Sequence, residues 1–128
     1  MQPTLLFVDD EPNFLVLVDR VLSKEGYRIT TALDSRQALA YVDCADFSLA
    51  VLDIKMAPID GVEVLARIKK RSPSTRVIMI TGYPTEENRA KCIKLGADGY
   101  LIKPIDFPQL ITLLRNLTLS NTRQVKRG

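Results

Sequence analysis

Four short stretches of this chain carry side chains suited to charge chemistry: Asp9-Asp10, Asp53, Thr81 and Lys103. Each follows or ends an apolar run, which reads as a buried strand stopping at a polar residue. The clearest is Leu49 to Leu52, closed by Asp53 and broken by Pro58 and Gly61 before an amphipathic segment begins at Val62. If these ends meet, Asp9, Asp10 and Asp53 form a crowd of carboxylates. Two such charges about 5 Å apart repel by about 3 kcal/mol at an effective dielectric near 20. Either a raised pKa or a bound cation must relieve that. A hard divalent ion with oxygen ligands suits the cluster, Mg²⁺ best, with Mn²⁺ an acceptable substitute. Lys103 adds a fixed positive charge, Thr81 a hydroxyl, and Gly82 leaves room beside it. These are parts for phosphoryl transfer to a carboxylate: Asp53 supplies the nucleophilic oxygen, and the metal and Lys103 offset charge on the phosphoryl oxygens.

The elements that must position them follow from periodicity. Thr4 to Val8 reads as a first strand. A helix follows with Phe14, Leu17, Val18, Val21 and Leu22 on its inner face, ended by Gly26. Tyr27 to Thr31 is a second strand. Asp34 or Ser35 caps a second helix whose inner face is Ser35, Ala38, Leu39 and Val42. Phe47 to Leu52 is the third strand. Gly61, Val64, Leu65 and Ile68 mark the inner face of a third helix. Arg76 to Ile80 is the fourth strand, and the fourth helix runs from Thr85 to Leu95, with Gly96 at its C-terminal cap. Gly99 to Ile102 is the fifth strand. Asp106 caps a fifth helix with Pro108 in its first turn and Leu110, Leu113, Leu114 and Leu117 as its buried stripe. Beyond Thr118 the chain turns polar and basic, which predicts a fraying helix end and then a linker or disordered tail. Strands alternating with helices demand a parallel sheet with right-handed crossovers and helices on both faces. Chemistry in such a fold gathers at the carboxyl ends of the strands, where Asp9, Asp53, Thr81 and Lys103 fall.

Composition narrows the function. The 128 residues suffice for one domain with a real core. No apolar run approaches the roughly 18 residues of a membrane span, and Met1-Gln2-Pro3 leads straight into a strand with no signal-peptide core. A cytoplasmic protein is expected. Cys44 and Cys92 have no metal-ligand spacing and read as buried or half-buried thiols in a reducing compartment. Net charge is +3, yet Arg115, Arg123, Lys126 and Arg127 supply four positive charges after residue 114 with no acid among them. The body ahead of them carries −1, which argues against direct nucleic-acid binding. The chain has no histidine, so a Ser-His or Cys-His nucleophile pair and a His-ligated zinc are excluded. Any phosphohistidine must come from a partner. No P-loop or Gly-rich phosphate loop is present, which argues against a nucleotide as direct donor.

Taken together, Val8-Asp9-Asp10-Glu11, Asp53 with Pro58 and Asp60-Gly61, Thr81-Gly82, Gly96-Ala97-Asp98-Gly99-Tyr100 and Lys103-Pro104 resemble the receiver domain of two-component response regulators, over residues 4–118. The resemblance implies a flavodoxin-like (βα)5 fold with strand order 2-1-3-4-5, a receiver domain over residues 1–118 and a basic tail or linker over 119–128. It implies that Asp53 accepts a phosphoryl group from the phosphohistidine of a sensor kinase or histidine phosphotransfer protein. Asp10 and Asp53 would be metal ligands, Asp9 would act mainly through metal-bound water, and Lys55 would lend its backbone carbonyl. Thr81 and Tyr100 would be the switch pair, altering the surface of the fourth helix, fifth strand and fifth helix, through which a homodimer could also form. Lys103-Pro104 resembles the family's cis bond. Lys55 and Tyr83 would flank the path of water to the acyl phosphate and slow its hydrolysis. One departure stands out: proline usually lies four residues after the phosphoacceptor, where this chain has Ala57, with Pro58 one later. An altered loop rigidity is expected there.

Other functions fare worse on the same residues. A phosphatase working through an aspartyl-phosphate commonly needs a second carboxylate two residues past the nucleophile, where this chain has Lys55; the protein is expected not to be an enzyme in that sense. Flavin binding lacks a hydroxyl- and glycine-rich loop after the first strand, where Asp9-Asp10-Glu11 would repel a phosphate. A receiver-like interaction module that is never phosphorylated is the alternative, favoured by loss of an acid or the lysine; none is lost.

Overall fold

The computed structural model describes the backbone of residues 2–127 and the side chains of residues 2–119. Its elements are β1 (Thr4–Val8), α1 (Pro12–Lys24), β2 (Arg28–Ala32), α2 (Ser35–Cys44), β3 (Leu49–Asp53), α3 (Gly61–Arg71), β4 (Arg76–Thr81), α4 (Glu86–Lys94), β5 (Gly99–Ile102) and α5 (Phe107–Arg127). The sheet has five strands in the order β2-β1-β3-β4-β5, every neighbouring pair parallel. This is the flavodoxin-like architecture expected from the sequence.

The alternation of side chains along each strand divides the interior in two. Leu6, Val8, Ala50, Leu52, Val77 and Met79 face α2, α3 and Cys92 of α4. Leu5, Phe7, Leu49, Val51, Ile78 and Ile80 face α1 and α5, meeting Leu15, Val18, Leu22, Leu110 and Leu114. β3 is buried along its whole length, so its apolar run shows no alternation. It carries Asp53 into the middle of the sheet's edge.

Side-chain caps start α2, α3, α4 and α5 at that same edge. Asp34, Asp60, Thr85 and Asp106 accept hydrogen bonds from the backbone N–H groups of Gln37, Glu63, Asn88 and Gln109, each cap worth about 1 kcal/mol. α3 begins hard against β3: Gly61 N–H donates to the Ile54 carbonyl at 2.7 Å, and a Cβ on Gly61 would collide with the Asp53 carbonyl oxygen. Gly96, at φ +96°, ends α4 in the left-handed region that only glycine adopts without strain.

Several local readings need correction. The buried line of α1 is Leu15, Val18 and Leu22, spaced i, i+3 and i+7 and packed in one cluster with Phe7, Leu110 and Leu114, while Leu17 is exposed. β2 begins at Arg28, since the Tyr27 N–H is taken by the Leu22 carbonyl at the end of α1. β3 begins at Leu49, and β4 extends through Thr81, which pairs with Ile102. α4 is shorter by its two flanking residues, Thr85 serving as its cap. Cys92 is buried as expected, but Cys44 is exposed, on the outward side of the last turn of α2. The backbone of α5 continues to Arg127, past Thr118 where fraying was expected; the side chains of residues 120–128 lie outside the described residues. No helix among the described residues is long and apolar enough to cross a membrane.

Candidate functional site

The ends of β1, β3, β4 and β5 bring Asp9, Asp10, Asp53, Thr81 and Lys103 to one rim. Carboxylate oxygens of Asp9, Asp10 and Asp53 all lie within 4.8 Å of one another. Asp9 and Asp53 are buried and Asp10 is exposed. The two buried acids are held in matching ways. Asp9 Oδ1 accepts from the Glu11 N–H at 3.0 Å, and Asp53 Oδ1 from the Lys55 N–H at 3.1 Å. Lys103 Nζ lies 3.1 Å from Asp9 Oδ2 and 2.6 Å from Asp53 Oδ2. Among the described residues the Asp10 carboxylate makes no hydrogen bond or ion pair.

Lys103 is aimed inward by its backbone. Its N–H donates to the Thr81 carbonyl at 2.8 Å, and the Lys103-Pro104 peptide is cis. The Ala57-Pro58 peptide is cis as well, so the shifted proline of the β3–α3 loop has a conformation that the sequence did not suggest. Burial by itself lowers the pKa of the Lys103 ammonium, but its hydrogen bonds to Asp53 and Asp9 outweigh that and hold it above the ordinary lysine value. Lys103 is therefore a permanent cation shared by two acids at neutral pH.

Thr81 is buried, and its Oγ1 accepts from the Tyr83 N–H at 3.0 Å. Tyr100 pairs with Met79 across β4 and β5 while Thr81 pairs with Ile102, so Thr81 and Tyr100 rise from the same face of the sheet. Tyr100 packs against the α3–α4 side of the core. Its hydroxyl is buried with no partner among the described residues, and burial pushes the phenol's pKa up. An added Cβ on Gly82 would meet the Lys103 side chain only at 3.9 Å, an ordinary contact.

Two features escaped the sequence reading. Lys55 Nζ sits 4.2 Å from the centre of the Tyr83 ring, bridging the β3–α3 and β4–α4 loops. Both residues were expected beside the site from their spacing, but nothing in the sequence marks that they touch. The other is Asp98, a half-buried carboxylate ion-paired with Lys69 at 2.9 Å and Arg76 at 3.1 Å, and accepting from the Val77 N–H at 2.8 Å. It ties the start of β5 to α3 and β4. No sequence period marks such a three-way contact.

Comparison with known proteins agrees with this geometry. A sequence profile described as "Response regulator receiver domain" matches residues 5–115. The chain belongs to the response regulator receiver family. Receiver domains are the phosphoacceptor modules of two-component systems, acting with sensor kinases, and they bind Mg²⁺ at an acidic pocket. The transcriptional regulatory protein TcrA of Mycobacterium tuberculosis is 39% identical over 114 residues, covering 89% of this chain and 45% of TcrA. The chain thus spans less than half the length of the curated relatives it matches. A CheY-like receiver domain protein from Methanospirillum hungatei superposes with a TM-score of 0.88 at 32% identity, covering 100% of both chains. The response regulator TrrA of Thermotoga maritima, solved with Mg²⁺ and a beryllium fluoride group, gives a TM-score of 0.80 at 34% identity, covering 91% of this chain and 99% of that one.

Proposed function

We propose that this receiver domain takes a phosphoryl group onto Asp53 from a partner's phosphohistidine. The observation that carries the reading is the Lys103 ammonium bridging Asp9 and Asp53 beside the free Asp10 carboxylate. In the transfer a carboxylate oxygen of Asp53 bonds to phosphorus as the phosphorus–nitrogen bond breaks, and the electron pair stays on the partner's imidazole. Lys103 meets the charge gathering on the phosphoryl oxygens, and Thr81 offers them a hydroxyl.

The donor set suits a divalent cation: all-oxygen ligands from Asp10 and Asp53, Asp9 reached through water, and the Lys55 carbonyl. Mg²⁺, or Mn²⁺ in its place, supplies charge neutralisation at the phosphoryl group when bound. Lys103 already takes one oxygen of Asp9 and of Asp53, so lysine and cation would share the cluster.

The phosphoryl group adds about two negative charges. Thr81 turning toward it opens space on the face it shares with Tyr100, changing the α4–β5–α5 surface in a two-state manner. Ile93, Leu95 and Ile102 are exposed there, which supports that surface as the place where a homodimer or effector binds. Lys55 and Tyr83, each two residues past a site residue, are read as flanking the path of water and slowing hydrolysis of the acyl phosphate. A cytoplasmic setting, a sensor histidine kinase or histidine phosphotransfer partner, and a linker role for residues 119–128 complete the proposal. Direct binding of nucleic acid or membrane by this domain is not part of it.

Incubation with radiolabelled acetyl phosphate or a phosphorylated kinase tests the reading. Wild type should incorporate label in a Mg²⁺-dependent way, Asp53→Ala should not, and Thr81→Ala should take label but fail to couple it to output. Full labelling of Asp53→Ala would refute the acceptor. A wild-type protein that never labels would favour the alternative, a phosphorylation-independent interaction module.

A further inference from the structure

The β3–α3 and β4–α4 loops leave neighbouring strands and meet again over the site. Lys55 N–H donates to Asp53 Oδ1 at 3.1 Å, and Tyr83 N–H donates to Thr81 Oγ1 at 3.0 Å. Outside those two bonds, Lys55 Nζ covers the Tyr83 ring at 4.2 Å. Tyr83 is 68% exposed even with Lys55 in place. Each partner of this cation–π contact is therefore wired by its own amide to one of the two side chains that the phosphoryl group would engage.

We propose that the Lys55–Tyr83 pair is a latch that joins the two loops in the unphosphorylated protein and opens when Asp53 is phosphorylated. This rests on the reading of Asp53 as acceptor. Several effects act in one direction. Phosphorylation removes the carboxylate charge of Asp53 that holds the Lys55 amide. The Thr81 hydroxyl, drawn to a phosphoryl oxygen, leaves the Tyr83 N–H. A dianionic phosphoryl group beside the Lys55 ammonium attracts it more strongly than the face of an exposed ring does. The ring then loses the cation, and the tie between the two loops is lost, while Tyr83 still flanks the site.

The element downstream is built to respond. α4 keeps one buried side chain, Cys92. Its C-terminal end is tied down through the Ala97 N–H to the Cys92 carbonyl and the Asp98 N–H to the Val77 carbonyl, and through the Asp98 ion pairs. Its N-terminal end hangs on residues 82–85, all exposed. Opening the latch therefore frees the end of α4 that packing holds least.

Solution NMR of the whole chain tests this, with beryllofluoride and Mg²⁺ as the phosphoryl mimic. In the resting protein the Lys55 ε-methylene protons should lie upfield of their position in Tyr83→Leu, because the ring shields them. Adding the mimic should move the Asp53 and Thr81 amide signals and abolish that upfield displacement. Lys55→Met should shift the Tyr83 and Thr81 amides part of the way toward their mimic-bound positions with no mimic present. The latch is overturned if the upfield displacement is absent at rest, if it survives in the mimic-bound protein, or if Lys55→Met leaves those amides in place. If the Asp53 and Thr81 amides ignore the mimic, the acceptor reading itself fails, and the latch with it.

Discussion

Replacing Lys103 with methionine should make the stability of this protein depend on Mg²⁺ much more strongly than it does in wild type. Oxygens of Asp9 and Asp53 lie within 4.8 Å of each other, a repulsion of about 3 kcal/mol at an effective dielectric near 20. Lys103 offsets it from 3.1 and 2.6 Å. Breaking a fully buried ion pair costs about 3–5 kcal/mol, and an exposed pair is worth about 0–1. The acid side chains are 2% and 9% exposed, but the Lys103 side chain is 32% exposed, so about 2 kcal/mol is the expected loss without metal. A cation at a hundred times its dissociation constant stabilises the fold by about 2.7 kcal/mol. It should bind the variant more tightly, since no ammonium competes for the same oxygens. The gap should then close to under about 1 kcal/mol in saturating Mg²⁺. Urea unfolding followed by circular dichroism, in EDTA and in Mg²⁺, measures both gaps. Equal gaps in the two conditions, or no gap in EDTA, would refute the electrostatic account of the site. The pH dependence has a definite sign. Because the folded state raises the Lys103 pKa above 10.5, its contribution is complete below that value and is lost as pH rises through the folded pKa. The gap in EDTA should be flat from pH 7 to about 10 and shrink above it.

Tyr83→Ala should shorten the lifetime of the Asp53 acyl phosphate several-fold by uncovering its approach; phosphate release after removal of the donor measures this, and an unchanged rate would remove the idea. Gly61→Ala should destabilise the fold by about 3 kcal/mol, since its Cβ meets rigid backbone at Asp53 and Ile54; a urea midpoint close to wild type would show that α3 can shift freely. Tyr100→Phe removes a buried hydroxyl with no partner among the described residues and should raise resting stability by about 1 kcal/mol. A loss of stability would mean that the phenol has a bonding partner in solution.

The chain's order of elements was open to reading because it rests on local rules. Apolar runs ending at Asp53 and Thr81, and caps at Asp34 and Asp106, act within a few residues, and alternating strand and helix permits few parallel topologies. The charges at the strand ends followed, since a parallel sheet delivers them to one rim. What the sequence could not decide depends on contacts between distant segments. Leu15 rather than Leu17 is buried because it shares one packed cluster with Phe7 and with Leu110 and Leu114 of α5. Asp98 becomes a clamp only once α3 and β4 bring Lys69 and Arg76 to it. Lys55 and Tyr83 are 28 positions apart, and only the closure of β3 against β4 puts an ammonium on a ring. Local propensity chooses elements residue by residue, whereas a side chain's partner is chosen by whatever the completed fold brings within reach.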